Sequence, residues 1–477
     1  MTRTATSIGY VAVPFALLCA VAAVAAMPLA RDDMIALGLI VLAPAALIGA
    51  YVVAQGVIGS RVAGAVMAVA YIFIIGAIFR TRAYDDKSID LQVASKLAAF
   101  GLMAVTAFIF FTFALGRMRL PRLFYIWLTF FVALMVTSLY AVNVIFALTC
   151  TVLFLIAYLY SVYMTVWLSR ITAVLVMMWA ALLLCVGSIF VYYAIPSVGI
   201  MQGWMPGGEF GEIGRMKGIT GSANGIGLIA AFSLVLAILY FRQFSTFGKL
   251  TAIALIPSAG ACLVLSNNRS SMIAVAASIW FSFVSRKGIG FKVMVSIAVG
   301  IVAAAALAFF SDQIFTALSR SGHADEITSA TGRAAIWSVV IEMWSQQPLH
   351  GYGYASALAI LPNDPRLFHA AAHAHNMYLE LLFAGGVILV GLFLYAIWQT
   401  LRQALRSGEI NEAALLLFFL LRGLTEATPF SGMASFSSFA FSLTIALVIA
   451  PLARSRAVHV RPVSAPGASR EPRLSRA

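Results

Sequence analysis

The chain has 477 residues, of which 62% are hydrophobic and only 10% charged. That much charge cannot cover the surface of a soluble protein of this length, and a mean hydropathy of +0.98 agrees. The formal net charge of +14 does not mark a nucleic-acid binder, because the basic residues are scattered among loops rather than gathered on one soluble face.

Apolar runs long enough to span a bilayer, about 20 residues each, follow one another along the chain. The predicted spans are 8–28, 34–56, 62–79, 95–115, 123–139, 142–166, 171–195, 225–241, 250–265, 271–285, 293–310, 377–398, 413–428 and 432–452. This predicts an all-α polytopic membrane protein with about 12–14 transmembrane helices and a long periplasmic loop carrying short interfacial helices. The first span has basic flanks and Ala-rich ends like a signal peptide, but the spans after it favour an uncleaved anchor. The stretch 250–285 also reads as a broken pair. Cys19, Cys150, Cys185 and Cys262 each sit inside an apolar run and form no CxxC pair, so they read as small buried hydrophobes.

Orientation follows from Lys and Arg. With the amino terminus inside, the inner loops hold Arg61, then Arg117, Arg119 and Arg122, then Arg170, then Arg242 and Lys249, then Arg286, Lys287 and Lys292, then Arg402 and Arg406. The outer side receives Asp32, Asp33, Asp85, Asp86 and Asp90. Both termini are therefore expected in the cytoplasm, with segments 196–224 and 311–376 outside. The expected divisions are amino-terminal transmembrane helices at 1–195, a membrane domain at 196–452 and a basic tail at 453–477. The tail is rich in Arg, Pro and Ser and is expected to be disordered.

Several polar groups interrupt this pattern on the outer side. Arg215 and Lys217 lie between glycines in Gly214-Arg215-Met216-Lys217-Gly218, with Asn224 at the start of the next span. Glycines let backbone N–H groups approach a ligand, a guanidinium grips phosphate through paired donors, and a helix start favours anions. The plainer reading is a loop whose cations touch lipid headgroups. Arg269 lies in a short polar plug, Ser266-Asn267-Asn268-Arg269-Ser270, and membrane-edge arginines face a cavity or partner unless they snorkel from a turn. Arg333 begins a stretch in which Trp337, Ile341 and Trp344 recur at helical spacing. That pattern predicts an interfacial amphipathic helix, with Arg333 either binding an anion or anchoring it.

His373-Ala374-His375-Asn376 precedes the long run that begins Met377-Tyr378-Leu379-Glu380. A neutral imidazole there suits removal of a proton from a sugar hydroxyl. Asn376 and Glu380 lie four apart, so either is placed to orient a histidine or hold a sugar hydroxyl; the alternative is a plain interfacial histidine. His369, His373 and His375 read as HxxxHxH, but no acid or cysteine clusters beside them, so a metal site is not favoured. Arg422 and Glu426, four apart in an apolar stretch, read equally as a self-satisfied buried pair or as functional intramembrane charges. There is no Walker A, GxSxG or HExxH motif. An enzyme of this kind needs a substrate that brings its own leaving group.

The stretch from Thr331 to Gly391 resembles the signature region of the O-antigen ligase and polysaccharide polymerase family. The residues that carry the resemblance are Gly332-Arg333, Trp337, Pro348, Gly351-Tyr352-Gly353, His375-Asn376 and Gly385-Gly386. Upstream, Arg215-Met216-Lys217-Gly218 with Asn224 resembles that family's Arg-Gly-Asn loop, and Ser266 to Ser270 its Ser-Arg plug. The amino-terminal half matches only as generic membrane helices.

The resemblance implies a metal-independent glycosyltransferase of the bacterial inner membrane, needing no cofactor. Such an enzyme moves a glycan from undecaprenyl diphosphate to an acceptor hydroxyl on the periplasmic face, the acceptor being lipid A–core or another lipid-linked glycan. It implies Arg215 and Arg269 as first diphosphate ligands, with Lys217 and Arg333 beside them. It implies His375 as general base, with His373 as the competing histidine, and Asn224, Asn376, Glu380, Arg422 and Glu426 in support. An exopolysaccharide or O-antigen polymerase shares the signature. A transporter or flippase of an anionic lipid is the rival from another class, but the inner halves of the spans lack the polar path it needs.

Overall fold

The computed structural model describes residues 58–78, 90–115, 118–204, 210–288, 333–367 and 372–455, with 54, 56, 290, 291 and 294. The spans read at 8–28, 34–56 and 293–310 fall wholly or largely outside these residues, as do His369 and most of the tail. Within them the chain is an all-α polytopic membrane protein. Six helices are long and apolar enough to cross a membrane, and four shorter apolar helices accompany them.

In chain order the helices are α1 (Arg61–Gly76), α2 (Leu91–Leu115), α3 (Arg122–Ser138), α4 (Val144–Tyr163), α5 (Arg170–Ala194) and α6 (Ala223–Tyr240). Then follow α7 (Thr246–Leu265), α8 (Arg269–Ser285), α9 (Arg333–Gln346), α10 (Met377–Arg406), α11 (Ile410–Arg422) and α12 (Phe436–Ile449). The amphipathic stretch after Arg333 is indeed a helix, α9. The polar plug at Ser266–Ser270 splits α7 from α8, so the 250–285 stretch is a pair of helices joined by a tight turn. The span read at 413–428 is shorter than expected, because α11 stops at Arg422 and the chain turns irregularly until Ser435.

Helices α6 and α12 are apolar all round and sit in the centre, as such helices must. Every residue of α12 is buried. The outer helices keep an apolar stripe toward the membrane, for example Val186, Phe190 and Tyr193 on α5.

Between α5 and α6, Ile200–Trp204 and Phe210–Met216 form an antiparallel hairpin. It brings Arg215 back over the start of α6. Ile78, just past α1, bridges Thr220 in the turn that follows. The carboxy-terminal ends of α1 and α5 and the amino-terminal end of α6 therefore lie on one side of the bundle.

The glycines of the 351–386 region have a structural explanation. Helix α10 breaks at Gly385 and Gly386, where Gly386 has φ 60° and ψ −161°. The freed carbonyls of Phe383 and Ala384 accept from the N–H groups of Tyr352 at 2.7 Å and Gly353 at 2.9 Å. A Cβ on Gly386 would lie 2.3 Å from the Leu349 carbonyl oxygen. The loop after α9 is thus keyed into the kink of α10.

Candidate active site

Four helix starts meet on the Arg215 side. Side-chain oxygens cap three of them: Ser222 Oγ accepts from Gly225 N on α6, Asn268 Oδ1 from Ser271 N on α8, and Asn376 Oδ1 from Tyr378 N and Leu379 N on α10. The fourth, α9, begins with Arg333 itself. Each start carries partial positive charge from its unpaired N–H groups. Helix α11 ends at the same place, and its last turn carries Arg422.

Glu426, in the turn after α11, joins the starts of α6 and α9 and faces the loop before α10. Its Oε1 accepts from Asn224 Nδ2 on α6 at 2.9 Å and from Arg333 Nη2 on α9 at 2.9 Å. Its Oε2 lies 3.9 Å from His375 Nδ1. Arg333 also donates to the neighbouring carbonyl of Thr425. Glu426 is only 3% exposed, so this carboxylate is compensated by a cation and an amide rather than by water.

Arg215 approaches from the hairpin. Its Nε donates to Ser266 O at 2.9 Å and its Nη2 to Asn224 Oδ1 at 3.1 Å. Ser266 lies in the same turn as Arg269, and Asn268 Nδ2 donates to Asn224 O at 3.3 Å. Arg215 and the Arg269 turn, 54 positions apart in sequence numbering, are therefore neighbours. Lys217 is anchored in its turn by its own backbone, which donates to Gly199 O at 2.9 Å. Its side chain enters none of the contacts around Glu426.

The expected Arg422–Glu426 pair is not a direct ion pair. Because α11 ends at Arg422, the two side chains leave the backbone on different courses, although Glu426 N–H donates to Arg422 O at 3.0 Å and both groups bond Asn224. Arg422, 1% exposed, donates instead to Ser271 Oγ at 3.0 Å, to Asn224 O at 3.2 Å and to Thr428 Oγ1. It clamps α6, α8 and α11 together. Sequence reading missed Ser271 and Thr428, since a hydroxyl in an apolar run carries no signal of its partner.

The histidine loop is held from several directions. Trp337 Nε1 donates to Ala374 O at 3.0 Å, and Ala374 N donates to Glu380 Oε2 at 2.9 Å. Asn376 Nδ2 donates to Leu424 O at 2.9 Å. Asn376 and Glu380, expected as possible partners of a histidine side chain, therefore brace the loop backbone instead. A side chain that does face His375 is Glu426. His375 has φ 49°, a left-handed backbone that a non-glycine residue keeps only where its surroundings impose it.

The two histidines differ. Their rings stand 4.0 Å apart, and the backbone N–H of His375 donates to His373 Nδ1 at 3.3 Å. Burial lowers the pKa of His373 below its ordinary value of 6.5, opposed by the Glu426 charge and assisted by Arg333 and Arg422. Neither His373 nor His375 lies in a helix, so the helical spacing that suggested HxxxHxH zinc ligation does not exist at these two positions.

Beyond the loop, Arg366 bonds both Glu342 on α9 and Asp364, and its hydrogen bonds pull the Asp364 carboxyl down to about 2. This fastens the outer end of α9 to the segment after it.

The comparisons with known proteins bear on this arrangement. No curated protein matches the chain. Residues 252–395 match the family model described as O-antigen ligase, a segment that contains Arg269, Arg333, His373, His375, Asn376, Glu380 and the glycine kink. That match covers less than a third of the chain; together with the apolar helices it supports an O-antigen ligase/polymerase assignment for a multi-pass membrane protein.

Proposed function

We propose that this side of the bundle transfers a glycan from undecaprenyl diphosphate to an acceptor hydroxyl, in the manner of an O-antigen ligase. The observation that carries the proposal is the meeting of four helix starts with Arg333 and His375 at Glu426, beside Arg215 and the turn that carries Arg269. Positive helix ends and guanidinium forks together favour a polyanion such as a diphosphate.

In this mechanism the acceptor hydroxyl oxygen attacks the anomeric carbon as the bond from that carbon to the diphosphate oxygen breaks. The hydroxyl proton passes to His375, and the electron pair leaves with undecaprenyl diphosphate. Arg215 and Arg269 stabilise the growing charge on the diphosphate, with Arg333 and Lys217 at its edge. Glu426 lies on the Nδ1 side of His375, which leaves Nε2 as the basic atom. His373 is the poorer base, because its Nδ1 lone pair already accepts the His375 N–H and its remaining nitrogen must then carry the proton. The basic-residue asymmetry supports a periplasmic position for this side and cytoplasmic termini, and the family match supports a bacterial inner membrane.

The test is glycan profiling of a strain lacking the gene, complemented with wild type or with His375→Ala at equal membrane abundance. Wild type alone should restore glycan transfer. Missing capped lipopolysaccharide in the deletion identifies a ligase, and a missing secreted polymer identifies a polymerase. Restoration by His375→Ala overturns the mechanism.

A further inference from the structure

The end of the bundle remote from His375 carries a second feature. Helix α1 runs from Arg61 to Gly76 and then reaches the Thr220 turn, so Arg61 lies at the far end. There α1, α5 and the start of α7 leave a groove of about 640 Å³, within the roughly 300–1,000 Å³ typical of small-molecule sites.

The groove is amphipathic along its length. Val66, Val69, Val176, Trp179 and Phe247 make its walls apolar. Trp179 stacks on Phe247 with centroids 5.8 Å apart and planes at 21°, so one wall is a flat aromatic surface. Val62 and Val66 are 75% and 61% exposed, which leaves the slot open toward the membrane side. The mouth is polar, formed by Arg61 with Ser169 and Thr172.

The mouth is also cationic. Arg61 is exposed and makes no ion pair among the described residues. It is the first residue of α1, which Ser60 caps, and α5 starts at the same mouth with Ser169 as its cap. Two helix starts and a guanidinium therefore face one opening. From Arg61 to Val69 the helix descends about 12 Å, enough for an apolar chain to lie below a headgroup.

We infer that this groove binds an anionic glycerophospholipid, its phosphate against Arg61 and an acyl chain along Trp179 and Phe247. Charge complementarity selects the occupant: a zwitterionic lipid fits the slot but gains less from Arg61, and basic pockets between membrane helices are where acidic headgroups lodge. The site is independent of glycan transfer, which takes place at the opposite end.

Trp179 makes the inference measurable. The full chain is reconstituted in phosphatidylcholine vesicles, and its fluorescence is followed as acyl-brominated phosphatidylglycerol replaces part of the bilayer. A Trp179→Phe variant isolates the Trp179 component. That component should be quenched at a lower mole fraction by brominated phosphatidylglycerol than by brominated phosphatidylcholine. Arg61→Gln should weaken the preference by about fivefold, the size expected for one cation near an anionic headgroup, and Arg61→Lys should keep most of it. Equal quenching by the two lipids overturns the headgroup assignment. A Trp179 component untouched by either lipid means that protein, from this chain or a second copy, covers the groove, and this also overturns the inference.

Discussion

Glu426 Oε2, in the turn after α11, faces His375 Nδ1, in the loop before α10, at 3.9 Å, across 51 positions of sequence numbering. The separation is longer than a formed hydrogen bond, yet Glu426 is already fixed by Asn224 and Arg333. The carboxylate is therefore set in place to receive an imidazolium as one forms. Gln at 426 keeps the shape and removes the charge. Glu426→Gln is expected to slow transfer by a large part of what His375→Ala costs, about 10²–10⁴-fold. The double variant should be no slower than His375→Ala alone, since residues acting as a unit are not additive. Single-turnover rates at saturating donor measure this, and full additivity would separate Glu426 from the histidine.

Arg215 uses at least two of its donors inside the protein, Nε to Ser266 O and Nη2 to Asn224 Oδ1. A lysine cannot hold both partners and still present a charge outward, because it lacks the planar fork. Arg215→Lys and Arg269→Lys should each weaken donor use by about tenfold or more, the range of one charge-assisted hydrogen bond. Competition by undecaprenyl diphosphate reads this directly. Wild-type inhibition in both lysine variants sinks the clamp.

The kink in α10 gives a stability prediction. Gly386 lies at φ 60° and ψ −161°, a region reserved for glycine. Gly386→Ala adds that strain, about 1–3 kcal/mol, to the collision with the Leu349 carbonyl 2.3 Å from the new Cβ. The variant should melt earlier in detergent and lose activity with its fold, whereas Gly391→Ala, with open space at its Cβ, should not. Equal melting of the two would show that the loop is not keyed into the helix.

Orientation has its own test. Alkaline phosphatase fused at Ala355 should be active and fused at Ser407 inactive, because the α10–α11 turn belongs to the basic end of the bundle. The reverse result inverts the topology and places the proposed site on the wrong face for a periplasmic donor.

Much of the site is legible from residue type alone. Charge inside apolar runs is costly, so Arg215, Arg269, Arg422 and Glu426 stand out whatever their neighbours. Their partners do not. Glu426 reaches Arg333 and His375 because α11 ends at Arg422 with Gly423 as its cap, and a lone glycine in an apolar run is only a weak stop signal. At the opposite end, Arg170 bonds Glu409 and Glu412, Tyr240 donates to Glu412, and Arg286 reaches Asn411. In the sequence these are only scattered loop charges. Pairing across 125 to 242 positions depends on packing that no local pattern encodes.

The two histidines can be told apart by pH. His375 N–H donates to His373 Nδ1 at 3.3 Å, a bond that requires that nitrogen unprotonated. Burial lowers the His373 pKa below 6.5, so the folded loop keeps a neutral ring through neutral pH. The unfolded chain binds the proton more readily, and loop stability therefore rises with pH between the folded pKa and about 6.5. Below that window His373 charges, the bond breaks and His375 loses its imposed left-handed backbone. His373→Asn can offer its side-chain oxygen to the same N–H without titrating. Its transfer rate should stay within about tenfold of wild type at pH 7.5, well short of the 10²–10⁴-fold lost with a general base, and its acid limb should change shape. His375→Ala should be inactive at every pH. A pH–rate series on the three proteins decides the matter: if His373→Asn is as dead as His375→Ala at pH 7.5 while its fold is intact, His373 is the base and the two histidines exchange roles.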